Sequence, residues 1–598
     1  MKLNLTLSAA LLATTAPVYA QDIIELDEIT VTAGYTDTNI SDTGASVSVL
    51  QSDDLQNATT SIVQTFENVP GVSLSASGGL GTQTYITVRG LNQNYVAVRV
   101  DGMDVTDPSG TQVAYDFGGL NAMGFGQAEF LKGSQSAIFG SEAVAGVVNL
   151  KSLASNELGE RGSLTFETGS YGTVAANLSF EKVSEQGSAA ISLSHVETDG
   201  FSAQKTGAGK DEADPYSGDQ LRVAVDHSLS DGVHMSFSML KSSEDIHYDS
   251  PWSPLIDTTL RDTSVMRGAV GFDVGTTTHE IAIVRGQFDR EYSFGNYDSS
   301  RFDIEYRGQS QIGATLLNFG ASKSEEDIDA VGEVGSDHET ALFVEANTNV
   351  FDALNVSAAA RQTKSGDFGS NTSYRIAGVY SLSDTLTLRA TASTGFRAPS
   401  LYERYGSGGS TDFKVEESQT QEIGIEHTYG NGSAVRATLF NSAIKNLIDY
   451  DNTTFSYVQD VQADKTRKAK GIELSGQWVV TDRITVGGSY TYTDAKNGSD
   501  TAARVPGHDI AVNVDAQLTA KANASLSVNH IMDYTDLVAG SVVDMPDYTV
   551  VNLTASYDVT DTLQGYVRVQ NLMDSDYETI TDYNTGGRQM FAGVRASF

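Results

Sequence analysis

Tyr85-Ile-Thr-Val-Arg-Gly90, Val96-Ala-Val-Arg-Val-Asp-Gly102 and Glu129-Phe-Leu-Lys-Gly133, followed by Ala137-Ile-Phe-Gly-Ser141 and Gly146-Val-Val-Asn149, are short β-runs punctuated by glycine. Runs of this length, rich in branched side chains and closed by glycine, read as buried strands joined by tight turns. All of them fall between Ala45 and Lys151. The stretch therefore reads as one compact globular domain, and nothing after Lys151 has its pattern.

From Glu160 onward the pattern changes to long alternating hairpins. Val174, Ala176, Leu178 and Phe180 oppose Ala175, Asn177, Ser179 and Glu181, and Val233, Met235, Phe237 and Met239 alternate with His234, Ser236 and Ser238. A period of two with one apolar face suits strands that show one side to lipid and the other to a wet lumen. The composition agrees: 9 prolines and 57 glycines, with 26 tyrosines and 23 phenylalanines, favour many strands and tight turns over several soluble domains. No window approaches the ~18 to 20 apolar residues of a membrane-spanning helix, so a membrane could be crossed only by a closed barrel. About 440 residues follow the globular domain, room for ~22 strands of ~10 residues with connections of roughly ten. A barrel of that size has a bore wide enough to need plugging.

A formal charge of −39 argues against nucleic acid as a partner, because phosphates would be repelled. The chain has no cysteine, which removes disulfides and thiolate metal sites. Lys2, the apolar run Leu3 to Ala13 and Val18-Tyr19-Ala20 ahead of Gln21 match a secretory signal with its cleavage site. No nucleophile elbow, zinc-spaced histidine pair or Ser/His/Asp set occurs in a recognisable motif, so no enzyme is expected.

The domain of Ala45 to Lys151, with Arg89-Gly90, Asp101-Gly102 and Gly146-Val-Val-Asn149 in order, resembles the plug domain of TonB-dependent outer-membrane receptors. Ser134 departs from the proline usual after that glycine. Gly395-Phe-Arg-Ala-Pro-Ser-Leu401 with Glu403, then Glu416-Glu-Ser and Glu422-Ile-Gly-Ile-Glu426, resemble the family's mid-barrel segments, and Gln570-Asn-Leu-Met-Asp574 resembles its C-terminal one. The resemblance implies an all-β transmembrane barrel of about 22 antiparallel strands in the Gram-negative outer membrane, with an N-terminal α+β plug in the lumen. Its parts would be a signal peptide (1–20), a periplasmic tail (21–43), the plug (44–152) and the barrel (160–598). A monomer is expected, and Phe598 closing the last strand resembles the signal read by the barrel-assembly machinery.

The resemblance also implies site residues. Asp27, Glu28, Ile29, Thr30, Val31, Thr32 and Ala33 alternate apolar and hydroxyl side chains and have no strand neighbour nearby, which leaves them open to strand addition by another protein. They look like the TonB box, gripped by TonB of the inner-membrane TonB-ExbB-ExbD complex. Ser77, Gly78, Gly79 and Leu80 in one loop, and Thr106, Asp107, Pro108, Ser109, Gln112 and Tyr115 in a second, stand where the family's plug apices touch ligand; read alone, both are equally compatible with plain solvent loops.

Receptors of this class import ferric siderophores, haem, cobalamin and some glycans. Haem is disfavoured because no histidine lies between Phe396 and Glu426. Chain length, a bare TonB box and a compact plug look most like the cobalamin branch, with a ferric siderophore as the alternative ligand and a passive porin or adhesin as the alternative class. The cobalamin branch binds calcium in its early loops. Asp199, Asp211, Glu212, Asp214, Asp219, Asp245 and Asp249 are the oxygen ligands available here, or else form a solvated acidic rim.

Overall fold

The computed structural model describes residues 30–35, 38–56, 60–111, 114–152, 157–205, 212–250, 256–451, 453–462 and 465–598. The signal peptide, Asp27 to Ile29 of the expected TonB box, Gln112 and Asp211 lie outside the described residues.

Among these residues, 22 long strands pair antiparallel in chain order and close into a barrel, with the two-residue strand Asp500–Thr501 appended to one of them. The seam closes where Gly159–Gly169 meets Gln589–Ser597, in register from Ser163 opposite Ser597 to Gly169 opposite Phe591. Alternation decides which face is which. Leu178 and Phe180 are 47% and 40% exposed on the outer face, whereas Asn177 in the opposite phase is 3% exposed toward the lumen. A soluble protein would hide the first pair; a lipid-facing wall displays it.

Strand length corrects the sequence reading. Ile256–Val274 and Glu333–Phe351 each run 19 residues, while roughly 9 to 11 tilted residues suffice to cross a bilayer. The excess stays hydrogen-bonded as hairpins rather than becoming loop, so connections at one end shrink to the two residues between Ser184 and Gly187 or Val274 and Thr277. At the other end they are long, as in 398–415 and 571–588.

The N-terminal domain is built on a five-stranded sheet in the order Ser46–Gln51, Gln127–Lys132, Gly146–Lys151, Val96–Val100, Met103–Asp104. Two of the dipeptides that carried the sequence reading are its sharp turns. Arg89 and Gly90 have φ of 51° and 75°, and Asp101 and Gly102 have 47° and 80°. Two successive positive φ values twist a hairpin the right way, and glycine meets that demand at the second position without strain. The short helices Ser52–Leu55 and Val63–Phe66 bury Leu55, Val63 and Phe66, and Phe66 packs edge-on against Phe117 and Phe130 at 5.6 and 4.7 Å.

This domain lies inside the barrel. Its apolar core continues without a break into lumen-facing Leu240, Val265, Val284 and Phe288 of the wall, and polar contacts reach strands all round it.

Candidate functional site

Three groups of plug residues meet the barrel in ways that matter. The first lies just after the expected TonB box. Thr30–Val31 pairs with Thr38–Asn39, so the end of that segment is not the unpaired strand the sequence suggested; the chain folds back and supplies its own partner. Val31 and Ala33 are 0% and 1% exposed. The Thr32 amide donates to Glu129 at 3.0 Å, Arg375 donates to the Ala33 carbonyl at 2.8 Å, and the Tyr35 amide donates to Glu345 at 3.1 Å. The Tyr35 ring stacks on Phe343, and its hydroxyl donates to the Ala137 carbonyl at 2.8 Å. Gly34 lets the chain pass close to the Glu345 carboxylate, which a Cβ there would meet at 2.8 Å.

The second group is a buried ion cluster. Arg89, 3% exposed, reaches Glu422 at 2.9 Å and Glu473 at 2.8 Å on two barrel strands, Glu416–Thr428 and Arg467–Thr481, and Lys132 approaches Glu473 at 3.5 Å. Burial works against the Arg89 charge, yet the two carboxylates outweigh it and hold the guanidinium more firmly protonated than usual. Burial pulls the Lys132 ammonium down to about 8 in spite of Glu473. Beside the cluster, Tyr95 donates to Glu416 at 2.7 Å; Glu416 also accepts from Arg397, which forks onto Glu403 at 2.8 and 2.9 Å. The Phe-Arg-Ala-Pro-Ser segment is thus structural: Ser400 caps the helix Leu401–Tyr405, and Glu403 closes the capping box.

The third group comprises the two expected apices. Both are packed against the barrel's long-loop end rather than loose in solvent. Gly78 and Gly79 lie under Ala203 and Phe201, and Leu80 packs with Met123, Tyr216 and Ile246. Ser77 donates to the Gln83 carbonyl across its own turn. In the second apex Thr106, Pro108 and Ser109 are buried, and Tyr115 packs edge-on to Phe117. Asp107 meets Arg290 at 2.8 Å and accepts from Ser299 at 2.7 Å, while Tyr457 covers the loop by donating to the Thr111 carbonyl. Beneath it lies a cavity of about 80 Å³ lined by Tyr85, Asp107, Tyr115, Arg261, Arg290 and Tyr292. Above stands an aromatic cluster in which Tyr402 contacts Tyr297 and Tyr457 at 5.9 and 6.2 Å.

The acidic set is dispersed. Asp214 and Asp249 act together, accepting from the amides of Ala203 and Gln204 at 2.7 and 2.8 Å, and one Glu212 oxygen is buried without a partner. Asp219 pairs with His195 at 2.9 Å, Asp245 lies 3.8 Å from His247, and Asp199 packs over Gly172. Among the described residues no three acids or histidines are placed to share a metal ion.

Sequence reasoning did not single out Tyr35, Phe343, Arg261 or Arg290. It quoted Arg89 and Glu422 as motif residues without seeing that they meet, because 333 positions separate them in the chain.

A family model described as TonB dependent receptor-like, beta-barrel matches residues 152–572, and one described as TonB-dependent Receptor Plug Domain matches residues 39–147. The chain is 25% identical over 629 residues to a vitamin B12 transporter, BtuB, of Photobacterium profundum, covering all of both proteins. It is 24% identical over 630 residues to the vitamin B12 transporter BtuB of Vibrio vulnificus, covering 99% of this chain and 98% of that one. The siderophore receptor PirA from Acinetobacter baumannii superposes with a TM-score of 0.78 at 17% identity, covering 92% of this chain and 98% of that chain. A mutant of the ferric enterobactin receptor PfeA from Pseudomonas aeruginosa gives 0.77, also at 17% identity and with the same coverage. At that identity the structural likeness speaks to fold alone.

Proposed function

Because the chain belongs to the TonB-dependent receptors of the Gram-negative outer membrane, we propose that it imports cobalamin through its plugged barrel. The observation that carries this reading is similarity along nearly the full length to two vitamin B12 transporters. Ligand binds over the Ser77 to Leu80 apex, the Asp107 apex and the aromatic cluster above them. TonB pulls on the segment from Asp27 to Ala33, and the inner-membrane proton gradient supplies the work that shifts the plug. The residues just beyond that segment suit such a linkage, since Tyr35 stacks on Phe343 of the wall and its amide donates to Glu345.

Three further parts belong to the same reading. A hard cation such as calcium steadies the loop held by Asp214 and Asp249, taking oxygens from those two carboxylates and completing its shell with loop carbonyls and water. The last strand, ending in Phe598, is recognised by the barrel-assembly machinery. The protein works as a monomer and has no enzymatic step.

Uptake of radiolabelled cyanocobalamin by a deletion strain carrying the gene on a plasmid tests the ligand, with growth on a ferric siderophore as sole iron source run alongside. Cobalamin uptake with no siderophore-dependent growth is the expected result. A ferric siderophore is the second reading, because the superposed receptors are named for siderophores; growth on it without cobalamin uptake overturns the first. Single-channel conductance near zero for the purified protein separates either from a passive porin.

A further inference from the structure

The plug is not held equally on all sides. Asp104, Asp107 and Asp116 are ion-paired with Arg301, Arg290 and Arg261 at 2.7, 2.8 and 2.7 Å, on the successive wall strands Gly295–Ile312, Thr277–Tyr292 and Ile256–Val274. The Arg89 and Lys132 cluster fastens it further round, at Glu422 and Glu473. Such pairs, partly buried on the first side and fully buried in the Arg89 cluster, resist separation, because each partner would be left as an undercompensated charge.

The wall from His508–Gln517 through Leu563–Gln570 is different. Among the described residues, its large cation Arg568 forks onto Glu167 at 2.6 and 2.9 Å within the wall itself and reaches plug residue Gln64 at 3.5 Å. Among the described residues, the other plug hydrogen bonds to this wall and to the loop 571–588 that follows it are exchangeable ones: Gln570 to Gln64, Asn529 to Glu67 at 3.4 Å, and the Ala76 amide to Thr579 at 3.0 Å. Water substitutes for bonds of this kind at little cost.

Along this side runs a cavity of about 270 Å³. It is bounded by plug residues between Leu50 and Leu80 and by wall residues from Phe201 and Gly586 at the long-loop end to Asp515 and Ser525 near the short turns. The side-chain oxygens of Asn68 and Asn513, which line it, are buried with no protein partner, as is that of neighbouring Asn529. Unpartnered amide oxygens facing a roomy polar gap mark a hydrated surface.

We infer that the imported molecule crosses along this seam, between plug segment 50–80 and the wall of strands His508–Gln517, Ala522–Met532, Tyr548–Thr560 and Leu563–Gln570. The inference rests on the import reading and assigns its route. The seam widens when segment 50–80 moves away, while the ion-paired side stays docked.

The absence of cysteine makes the test clean. Ala76→Cys/Thr579→Cys staples the plug to the loop 571–588 over the seam; Ser134→Cys/Gly395→Cys staples it to wall strand Leu386–Arg397, outside the seam, where a Cβ on Gly395 would stand 2.5 Å from the Ser134 hydroxyl, close enough for a disulfide. Oxidised, the first pair lowers cyanocobalamin uptake at least tenfold with binding retained and reductant restoring it, and the second leaves uptake within about twofold of wild type. Equal loss in both, loss only in the second, or loss in neither overturns the route. Ser527→Cys, which lines the seam, is also labelled by a water-soluble maleimide several times faster in energised cells than after a protonophore, while Thr438→Cys on wall strand Ala434–Lys445, outside the seam, is not. Unchanged labelling of Ser527→Cys likewise overturns it. If wild type imports no cobalamin, the import reading fails for that ligand and the labelling arm still reports on the seam.

Discussion

The ring of Tyr35 lies flat on that of Phe343, centroids 4.1 Å apart and planes within 11°, so the turn directly after the expected TonB box is anchored to the barrel wall. A stacked pair contributes about 0.5 to 1.5 kcal/mol beyond the area it buries. The hydrogen bond from the Tyr35 hydroxyl to Ala137 adds about 0.5 to 1.5 kcal/mol. Together they keep Val31 and Ala33 folded in. Tyr35→Ala should therefore raise the affinity of the ligand-free receptor for a periplasmic TonB fragment by roughly tenfold, the equivalent of about 1.4 kcal/mol. Isothermal titration reads this directly; an unchanged affinity means the anchor does not limit release.

Arg89 offers the complementary experiment on the plug's strong side. Removing it leaves Glu422 and Glu473 facing one another with only Lys132 nearby. Breaking a buried pair in this way costs about 3 to 5 kcal/mol. Arg89→Ala should lower the urea midpoint for plug unfolding while the barrel stays resistant, as followed by limited proteolysis. Arg89→Lys should recover only part of the loss, because one ammonium cannot fork to two carboxylates.

Deleting residues 27–33 separates holding from pulling. Ligand affinity should stay within about twofold, since both apices are held by Asp107, Arg290 and the loops around Phe201 rather than by the N-terminus. Energised uptake should fall to background. Equilibrium binding and whole-cell uptake on the same cells check both halves, and a loss of binding would contradict this division of labour.

The alternation of Leu178 and Phe180 with Asn177 made the barrel legible, because lipid demands a strict period of two, and Arg89-Gly90 and Asp101-Gly102 marked turns that need a positive φ. Strand count followed from length, but strand ends did not: residues of Glu333–Phe351 above the membrane keep pairing although no hydrophobic constraint marks where the bilayer stops. The site was less readable still. Glu422 and Glu473 are ordinary inward-facing acids in sequence, and only closure of the barrel around the plug brings them to Arg89. The acidic set is close in the chain but spread out in the fold: adjacent strands pair Asp219 with His195, while Asp214 turns within its own loop to the Ala203 amide.

For the loop 199–215 the calcium proposal makes a direct prediction. Asp214 and Asp249 already fix residues 202–204 through backbone amides, so a cation would add rigidity to a preorganised turn. Chelation with EGTA should then speed proteolysis in this loop several-fold and weaken cobalamin binding, with calcium restoring both. If neither changes, the carboxylates act through the amides alone.

Glu67 gives the plug a pH dependence of definite sign. Burial pushes its carboxyl up to about 7, only partly offset by the Asn529 amide, against an ordinary value of about 4.3 in an unfolded chain. The folded plug thus takes up a proton as pH falls between those limits. The stability linked to Glu67 is complete below about 4.3 and is lost as pH rises through about 7. Urea-induced plug unfolding, read by proteolysis at segment 60–76, should need more denaturant at pH 5 than at pH 8. Glu67→Gln carries the neutral form at every pH. It should match wild type at pH 5, exceed it at pH 8 and flatten the profile between; a wild-type plug that is more resistant at pH 8 would show that another group dominates this side of the plug.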